Sequence, residues 1–174
     1  MRYQKLGLIE YDKNKCSPGY TLVAPVHGNT VYLVNMLGEP VHQWSLSHKL
    51  GTLAYLLPDG HLLTSGLTTE GPPVIEGKGG HLKEYDWNGN LVWEHIDHAQ
   101  HHDFRRLPNG NTMYLGWDEM TELEATQVKG GIPGTEREGK IYSDFIKEVD
   151  PNGNIEWEWH ARDLNIGDFP MADD

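Results

Sequence analysis

The sequence has a single cysteine and no long apolar run. Cys16 has no second cysteine to pair with, which excludes an internal disulfide and a cysteine-based zinc motif. No apolar stretch approaches the ~20 residues of a membrane-spanning helix, and residues 1–15 lack the apolar segment of a secretory signal. The sequence therefore predicts no membrane partner, and these features alone favour a cytoplasmic location.

Positive charge is also scarce. Asp and Glu number 26 against 14 Lys and Arg, which gives a formal net charge of −12. A surface of that sign repels the phosphate backbone of DNA and RNA, so no nucleic-acid partner is expected. The adjacent Arg105 and Arg106 form a local exception that is suited to holding a small anion.

Glycine, proline and tryptophan are well represented, with 20, 10 and 6 residues. This composition is typical of many short strands that are joined by turns. The 174 residues are enough for one domain with its own core, or for part of a larger one.

One hairpin pattern occurs three times along the chain. Each copy has an alternating apolar segment, a turn with glycine and a second alternating segment that ends in aromatics. The copies lie at residues 32–44, 82–95 and 146–160, with Gly38, Gly89 and Gly153 in their turns.

A second hairpin alternates with the first. Residues 53–66 and 104–117 both contain Leu-Pro-Asp/Asn-Gly between apolar segments, and their glycines are 110 − 60 = 50 residues apart. Two hairpins in about fifty residues make a four-stranded unit, which is the size of a β-propeller blade. The predicted fold class is therefore all-β, a propeller segment of about two and three-quarter blades.

The repeat predicts where the strands and the blade boundaries lie. The first complete blade is expected to contain strands near 52–57, 61–66, 80–87 and 90–95, and the second strands near 101–107, 112–118, 142–150 and 154–160. Residues 19–44 supply three further strands of a preceding blade. The whole chain, 1–174, is then a single partial propeller domain with blade boundaries near 46–51, 96–100 and 161–165.

The predicted ring is incomplete, since a propeller takes about four to eight blades. After residue 160 the chain is expected to enter the next inner strand, but it stops at NIGDFPMADD. We expect that the missing blades belong to a longer parent chain or come from a homo-oligomer, and a two-sheet sandwich is the alternative architecture. The polar, Gly-rich residues 119–139 are expected to form a loop that is inserted between strands.

Residues 95–111, HIDHAQHHDFRRLPNGN, are the part of the chain that is densest in reactive side chains. Aligning Gly60 with Gly110 sets Gly51, Thr52 and Leu53 against the triplet 101–103, His-His-Asp. The scaffold that the two repeats share therefore does not require this triplet. The triplet opens an innermost strand, where side chains from several blades face one channel.

Three interpretations of this run are open. It can be structural, with solvated histidines and a capping aspartate. It can be a His/Asp metal site, although the spacing of His95, His98 and His101 suits a helix better than a strand. It can also handle an anion or form a covalent intermediate, because a neutral imidazole acts as a nucleophile or base near neutral pH. No metal ligand set and no cofactor is assigned from the sequence.

In the third interpretation, strand alternation decides which side chains share a face. It puts His102 and Arg106 on one side with Phe104 between them, roughly 13 Å from end to end. The other side carries His101, Asp103 and Arg105.

Three segments resemble the arylsulfotransferase family: GYTLVAPVHGNTVYLVNMLGEPVHQW, LLPDGHLL and EYDWNGNLVWEHIDHAQHHDFRRLPNGNTMYL. The likeness runs over nearly the whole chain, and His-His-Asp-Phe followed by Leu-Pro-Asn-Gly-Asn is its most specific part. The resemblance implies a six-bladed propeller that moves a sulfuryl group between phenolic compounds through a sulfated histidine, without a nucleotide sulfate donor. It also implies small-molecule partners, an aryl sulfate and a phenol, and a periplasmic or secreted location.

The resemblance puts His102 in the channel with His101 beside it. Taken with the residue-based argument, the candidate catalytic residues are His102, His101 and Arg106, with Asp103 and Arg105 in support. Which channel histidine is the nucleophile stays open. The alternatives are a non-catalytic propeller fragment that binds a ligand or partner, and the His/Asp metal site.

The other aromatic and imidazole side chains have simpler predicted roles. The tryptophans of the outer strands are expected to pack between blades, and the remaining histidines to be solvated. These residues are Trp44, Trp93, Trp157 and Trp159, and His27, His42, His48, His61 and His81.

Overall fold

The computed structural model describes residues 7–73, 77–128 and 136–164, which fold into three antiparallel sheets in chain order. Sheet one contains β1 (Thr21–Val23), β2 (Thr30–Val34) and β3 (Pro40–Ser45). Sheet two contains β4 (Leu50–Leu56), β5 (Leu62–Leu67), β6 (Gly80–Tyr85) and β7 (Leu91–Ile96). Sheet three contains β8 (Gln100–Arg106), β9 (Thr112–Glu119), β10 (Tyr142–Val149) and β11 (Ile155–His160).

Each sheet is a meander, in which every strand pairs with its neighbour in the sequence. The eight strands of sheets two and three begin and end within about two residues of the expected positions. The all-β prediction and the tandem hairpins are therefore confirmed.

The recurring Asp-x-Asn-Gly-Asn turns have a shared physical cause. The Asp86 carboxylate accepts the N–H groups of Asn88 and Asn90, at 2.9 and 2.8 Å. Asp150 does the same in the equivalent turn of sheet three. The glycine that follows takes the left-handed conformation, with φ 85° at Gly89, which a residue with a Cβ rarely adopts.

Successive sheets stack face to face on apolar side chains. The cluster between sheets one and two contains Val31, Leu33, Trp44, Leu46, Leu50, Leu62 and Tyr85. The cluster between sheets two and three contains Leu63, Leu82, Phe104, Tyr114, Phe145 and Val149.

Tryptophans of β3 and β7 form hydrogen bonds from sheet one to sheet two and from sheet two to sheet three. The Trp44 indole N–H donates to the Asp86 carbonyl at 3.0 Å, and the Trp93 N–H donates to the Pro151 carbonyl at 2.9 Å. The expected packing role is confirmed for these two residues. Trp157, at the position of Trp93 in sheet three, is 46% exposed.

The insertion between β9 and β10 contains a helix that the sequence prediction missed. α1 spans Glu122–Gln127, and the Thr121 side chain and Glu124 form a reciprocal capping box at its start. A 3-10 helix, Ala161–Leu164, follows β11. Neither helix is long and apolar enough to cross a membrane. The expected strand after residue 164 lies outside the described residues, as do residues 129–135 of the insertion.

The connections define two ends of the stacked sheets. The links between sheets, residues 46–49 and 97–99, lie at one end, where β4 and β8 begin. The Leu-Pro-x-Gly turns lie at the opposite end. We name these the link end and the turn end, and the histidine run lies at the link end.

Candidate functional site

The start of β8 is distorted by a bulge that sheet two shares. His101 pairs with Leu115 and Phe104 with Tyr114, which leaves His102 and Asp103 without partners on β9. Fifty residues earlier, the pairing of β4 with β5 shifts between Leu50 and Ala54. The bulge is therefore a feature of the repeat, and it turns the intervening side chains away from the regular strand faces.

His102 is held at the tip of this bulge in a left-handed conformation, with φ 48°. Its N–H donates to the Gly77 carbonyl at 2.7 Å, and its own carbonyl accepts the Thr52 hydroxyl at 2.8 Å. The imidazole lies against Gly77, where an added Cβ would come within 2.4 Å of the ring. Backbone contacts to sheet two thus fix a strained residue whose side chain is exposed.

His101 is buried beneath it, with 5% of the residue exposed. The imidazole stacks on Trp117 with 4.0 Å between ring centroids. Its Nε2 lies 3.1 Å from Asp144 Oδ1, and its Nδ1 lies 2.9 Å from His102 Nδ1. A continuous line of contacts therefore runs from Asp144 through His101 to His102.

The chemistry of the three groups determines which nitrogen of each imidazole carries a proton. Burial lowers the pKa of His101, and so does the neighbouring imidazole of His102, while the Asp144 carboxylate acts in the opposite direction. Because the pKa is lowered on balance, we take His101 as neutral at neutral pH. A carboxylate only accepts, so His101 Nε2 carries the proton and Nδ1 has a lone pair. His102 Nδ1 must then donate to His101. In the neutral form of His102, this makes Nε2 the nitrogen with the lone pair, which can react.

Asp103 and Arg105 have a different role from the one expected. The Tyr55 hydroxyl donates to Asp103 Oδ1 at 2.7 Å, and the Phe104 N–H donates to the same oxygen at 2.7 Å. The Arg105 guanidinium lies 3.9 Å from the centre of the Tyr55 ring. Burial and the Asp103 carboxylate raise the pKa of Tyr55 to about 12, so it stays protonated. Asp103, Arg105 and Tyr55 therefore form contacts between sheet three and sheet two.

The expected association of Arg106 with His102 is not what the structure shows. The Arg106 guanidinium pairs with Glu84 of sheet two, donates to the Gly110 carbonyl at 3.0 Å and lies over the Trp93 ring. The bulge is the reason, because it breaks the alternation on which the prediction depended. Arg106 extends from the regular part of β8 toward the turn end.

The histidines that could have formed a metal site in the run are dispersed. His95 Nε2 contacts the Tyr114 hydroxyl at 3.2 Å, and His98 Nδ1 contacts the Thr68 hydroxyl at 2.8 Å. His101 contacts Asp144, as described above. Their spacing of three does not bring the imidazoles together, since β7, the link and β8 do not follow one helical face.

Two residues of the site, Asp144 and Trp117, were missed from the sequence. They pair across β9 and β10, and the equivalent pair in sheet two is Gly80 with Leu67. The repeat alignment contained this signal, because Asp144 replaces a glycine just as His101 replaces Gly51. The histidine, the aspartate and the tryptophan differ from sheet two together, in one place.

Comparisons with known proteins leave the family open. No family model matches the chain, and no curated protein matches it. Among solved structures, it is similar to a protein of unknown function from Bacteroides caccae, with a TM-score of 0.47 and 16% identity over 83% of this chain. The match covers 41% of that chain, so the present chain spans less than half of its length.

Proposed function

We propose that the three sheets are successive blades of a β-propeller, with β4 and β8 as innermost strands beside a central channel. Three features support this arrangement: the sheets are meanders, they stack in chain order, and β4 and β8, the first strands of sheets two and three, are neighbours. The hydrogen bond from Thr52 on β4 to the His102 carbonyl on β8 joins these inner strands. His102 then points into the space that the inner strands surround.

We propose further that this channel transfers a sulfuryl group from an aryl sulfate to a phenol, with His102 as the nucleophile. The observation that carries the proposal is the Asp144–His101–His102 line, which places the lone pair of neutral His102, an exposed residue, on Nε2. A nucleophile oriented by a second group, which is oriented in turn by a third, is the general arrangement for covalent catalysis. His101 and Asp144 act as positioning residues.

The transfer has two half-reactions. In the first, His102 Nε2 attacks the sulfur of the aryl sulfate, an N–S bond forms, and the S–O bond to the phenolate breaks. The His102 ring becomes more acidic, and its Nδ1 proton moves toward His101 Nδ1, where Asp144 stabilises the resulting imidazolium. In the second, the hydroxyl oxygen of an acceptor phenol attacks the sulfur, and the N–S bond breaks with its electron pair returning to His102 Nε2. The acceptor's proton is released to solvent, where the departed phenolate can take it up, and the Nδ1 proton returns from His101 to His102.

The sulfuryl oxygens carry negative charge in the transition state and require a cation or hydrogen-bond donors. Arg105 and Arg106 are engaged with sheet two through Tyr55 and Glu84. We therefore assign these two arginines to contacts between the sheets and not to this stabilisation.

The test uses p-nitrophenyl sulfate as donor and phenol as acceptor, with p-nitrophenol release as the readout. We expect turnover by the chain, and its loss in His102→Ala. His98→Ala is the matched control, because His98 lies in the same run but contacts Thr68. We also expect donor alone to leave one sulfuryl group on the peptide that contains His102. Turnover that survives His102→Ala would contradict the proposal, as would an absence of both turnover and sulfated histidine.

A binding function is the second candidate, and a specific observation favours it. Trp157 is 46% exposed, whereas Trp93 at the equivalent position donates to the next sheet. The face of sheet three that carries Trp157 is therefore suited to contact a further sheet or a partner. This function predicts no sulfuryl transfer and a concentration-dependent oligomer in sedimentation, and a monomer at all concentrations would count against it.

A further inference from the structure

The turn end of sheet two carries a cluster of three ligand-type side chains, Asp59, His61 and Glu84. One potential ligand atom of each lies within 4.8 Å of the others. His61 Nδ1 is 2.6 Å from Glu84 Oε1 and 3.8 Å from Asp59 Oδ2. The His61 and Glu84 side chains are 31% and 12% exposed, so the histidine that the sequence predicted to be solvated is only partly exposed and contacts carboxylates.

The equivalent turn of sheet three shows what the scaffold requires at these positions. There Asn109 and Asn111 stand in place of Asp59 and His61, and both donate to Glu148 Oε1, at 3.1 and 2.7 Å. Two neutral amides thus hold one oxygen of this glutamate. Sheet two has the same backbone turn, but an imidazole and a second carboxylate replace the amides.

Arg106 fixes the orientation of the glutamate in this cluster. Its guanidinium pairs with Glu84 Oε2 and lies over the Trp93 ring, 4.4 Å from the centroid. Glu84 Oε1 is thereby directed at His61, and half of the negative charge of the two carboxylates is neutralised. A metal-ligating carboxylate is commonly held in this way through its second oxygen.

We propose that Asp59, His61 and Glu84 bind one Zn²⁺ ion, through Asp59 Oδ2, His61 Nδ1 and Glu84 Oε1. On binding, the Nδ1 proton of His61 is released to solvent and replaced by the metal, while Arg106 keeps its contact with Glu84. One imidazole and two carboxylates suit Zn²⁺, whereas Ca²⁺ and Mg²⁺ prefer sites made of oxygen alone. Three protein ligands leave a fourth position open to water or a ligand. The site lies at the opposite end from His102 and does not depend on the proposed transfer.

The test is a Zn²⁺ titration of the whole chain by calorimetry, with melting temperature as a second readout. Asp59→Asn combined with His61→Asn is the decisive variant, because it recreates the Asn-Gly-Asn turn that folds in sheet three. We expect one Zn²⁺ site in the wild type, at least a tenfold loss of affinity in the double variant, and no comparable stabilisation by Ca²⁺. His102→Ala serves as the matched control and should bind Zn²⁺ as the wild type does.

A result of equal Zn²⁺ affinity in the wild type and the double variant would overturn the proposal, as would an absence of binding. Loss of binding in His102→Ala would place the ion at the link end and overturn it as well. If the double variant is unstable, His61→Gln replaces it, with the ¹⁵N resonance of His61 Nδ1 in the wild type as direct readout. A resonance that does not move with Zn²⁺ would be equally decisive.

Discussion

Sheets two and three share one backbone plan but differ in the side chains at both ends. At the link end, both have a bulge near the start of the first strand, between Leu50 and Ala54 in β4 and between His101 and Phe104 in β8. Sheet two has Gly51 and Gly80 at the positions that His101 and Asp144 occupy in sheet three. At the turn end the difference is reversed, since sheet two carries the ionisable residues and sheet three the neutral amides.

This comparison separates what the fold needs from what it permits. The bulge, the stacked apolar faces and the turns recur, so they belong to the scaffold. The Asp144–His101–His102 line and the Asp59–His61–Glu84 cluster each occur in one of the two sheets, in places where the other sheet shows that simpler residues fold. Residues that the fold does not require are the better candidates for a catalytic or binding role.

The largest expected effect comes from making sheet three resemble sheet two in its core. Phe104 is 1% exposed and packs between the sheets, whereas the equivalent residue in sheet two is Ala54. We expect Phe104→Ala to lower the free energy of unfolding by about 3–5 kcal/mol, from lost burial and the cavity that remains. Urea unfolding measures this, with Leu53→Ala, 41% exposed, as control. A loss similar to that of the control would show that Phe104 does not hold the sheets together.

The next effect concerns the pH dependence of stability and His48, which lies in the link between sheets one and two. His48 contacts the Tyr85 and Thr64 hydroxyls at 3.3 and 3.4 Å. Burial, with Lys83 and His81 nearby, lowers its pKa from 6.5 to about 4, so it is not the solvated histidine that was expected. The unfolded chain therefore binds the proton more readily, and stability is full above pH 6.5 and declines between pH 6.5 and pH 4.

The decline that His48 contributes should be on the order of 3 kcal/mol. Urea unfolding of the wild type and of His48→Gln, at the two ends of that pH range, isolates it from other groups. We expect the wild type to lose more stability than the variant on acidification. Equal losses would mean that His48 is accessible to protons in the folded state.

A smaller effect is expected at the link between Asp103 and Tyr55. Tyr55→Phe removes the hydroxyl that donates to Asp103, and we expect a loss of about 1–2 kcal/mol, because the acceptor is charged but partly solvated. Tyr20→Phe is the matched control, since Tyr20 is 66% exposed. If both substitutions cost the same, the hydrogen bond contributes nothing measurable and Asp103 is free for another role.

An effect of similar size tests the strain at His102. Its φ of 48° suits glycine and disfavours a β-branched residue. We expect His102→Gly to be more stable than His102→Thr, the residue of sheet two, by about 1–2 kcal/mol. Thermal unfolding of the two variants gives the difference directly. Equal stabilities would indicate that the bulge relaxes and that position 102 is not held in the left-handed conformation.

Much of the fold could be predicted, because hairpin turns and alternation are local signals. The Asp-x-Asn-Gly-Asn sequences that begin at Asp86 and Asp150 are recognisable as turns. The period of the repeat then predicts where the strands lie. α1 was missed although Thr121 and Glu124 form a recognisable capping box. A polar, Gly-rich surrounding segment outweighed that short signal.

The candidate site was only half predictable. His101 and His102 stood out because the first repeat lacks them, but their partner Asp144 is 43 residues away and is brought close by strand pairing. Arg106 was paired with the wrong side chain, since alternation cannot anticipate a bulge. The same is true of His61, whose partner Glu84 lies on β6 and whose environment depends on an arginine from the next sheet.

¹⁵N NMR of the histidine side chains at neutral pH shows whether Asp144 and His101 leave His102 Nε2 with a free lone pair. We predict that His102 is the Nδ1–H tautomer, with Nε2 showing the shift of an unprotonated nitrogen, and that Asp144→Ala disturbs this preference. A neutral His102 that is protonated on Nε2 in the wild type would rule out this arrangement of protons and the proposed role of His102 as nucleophile.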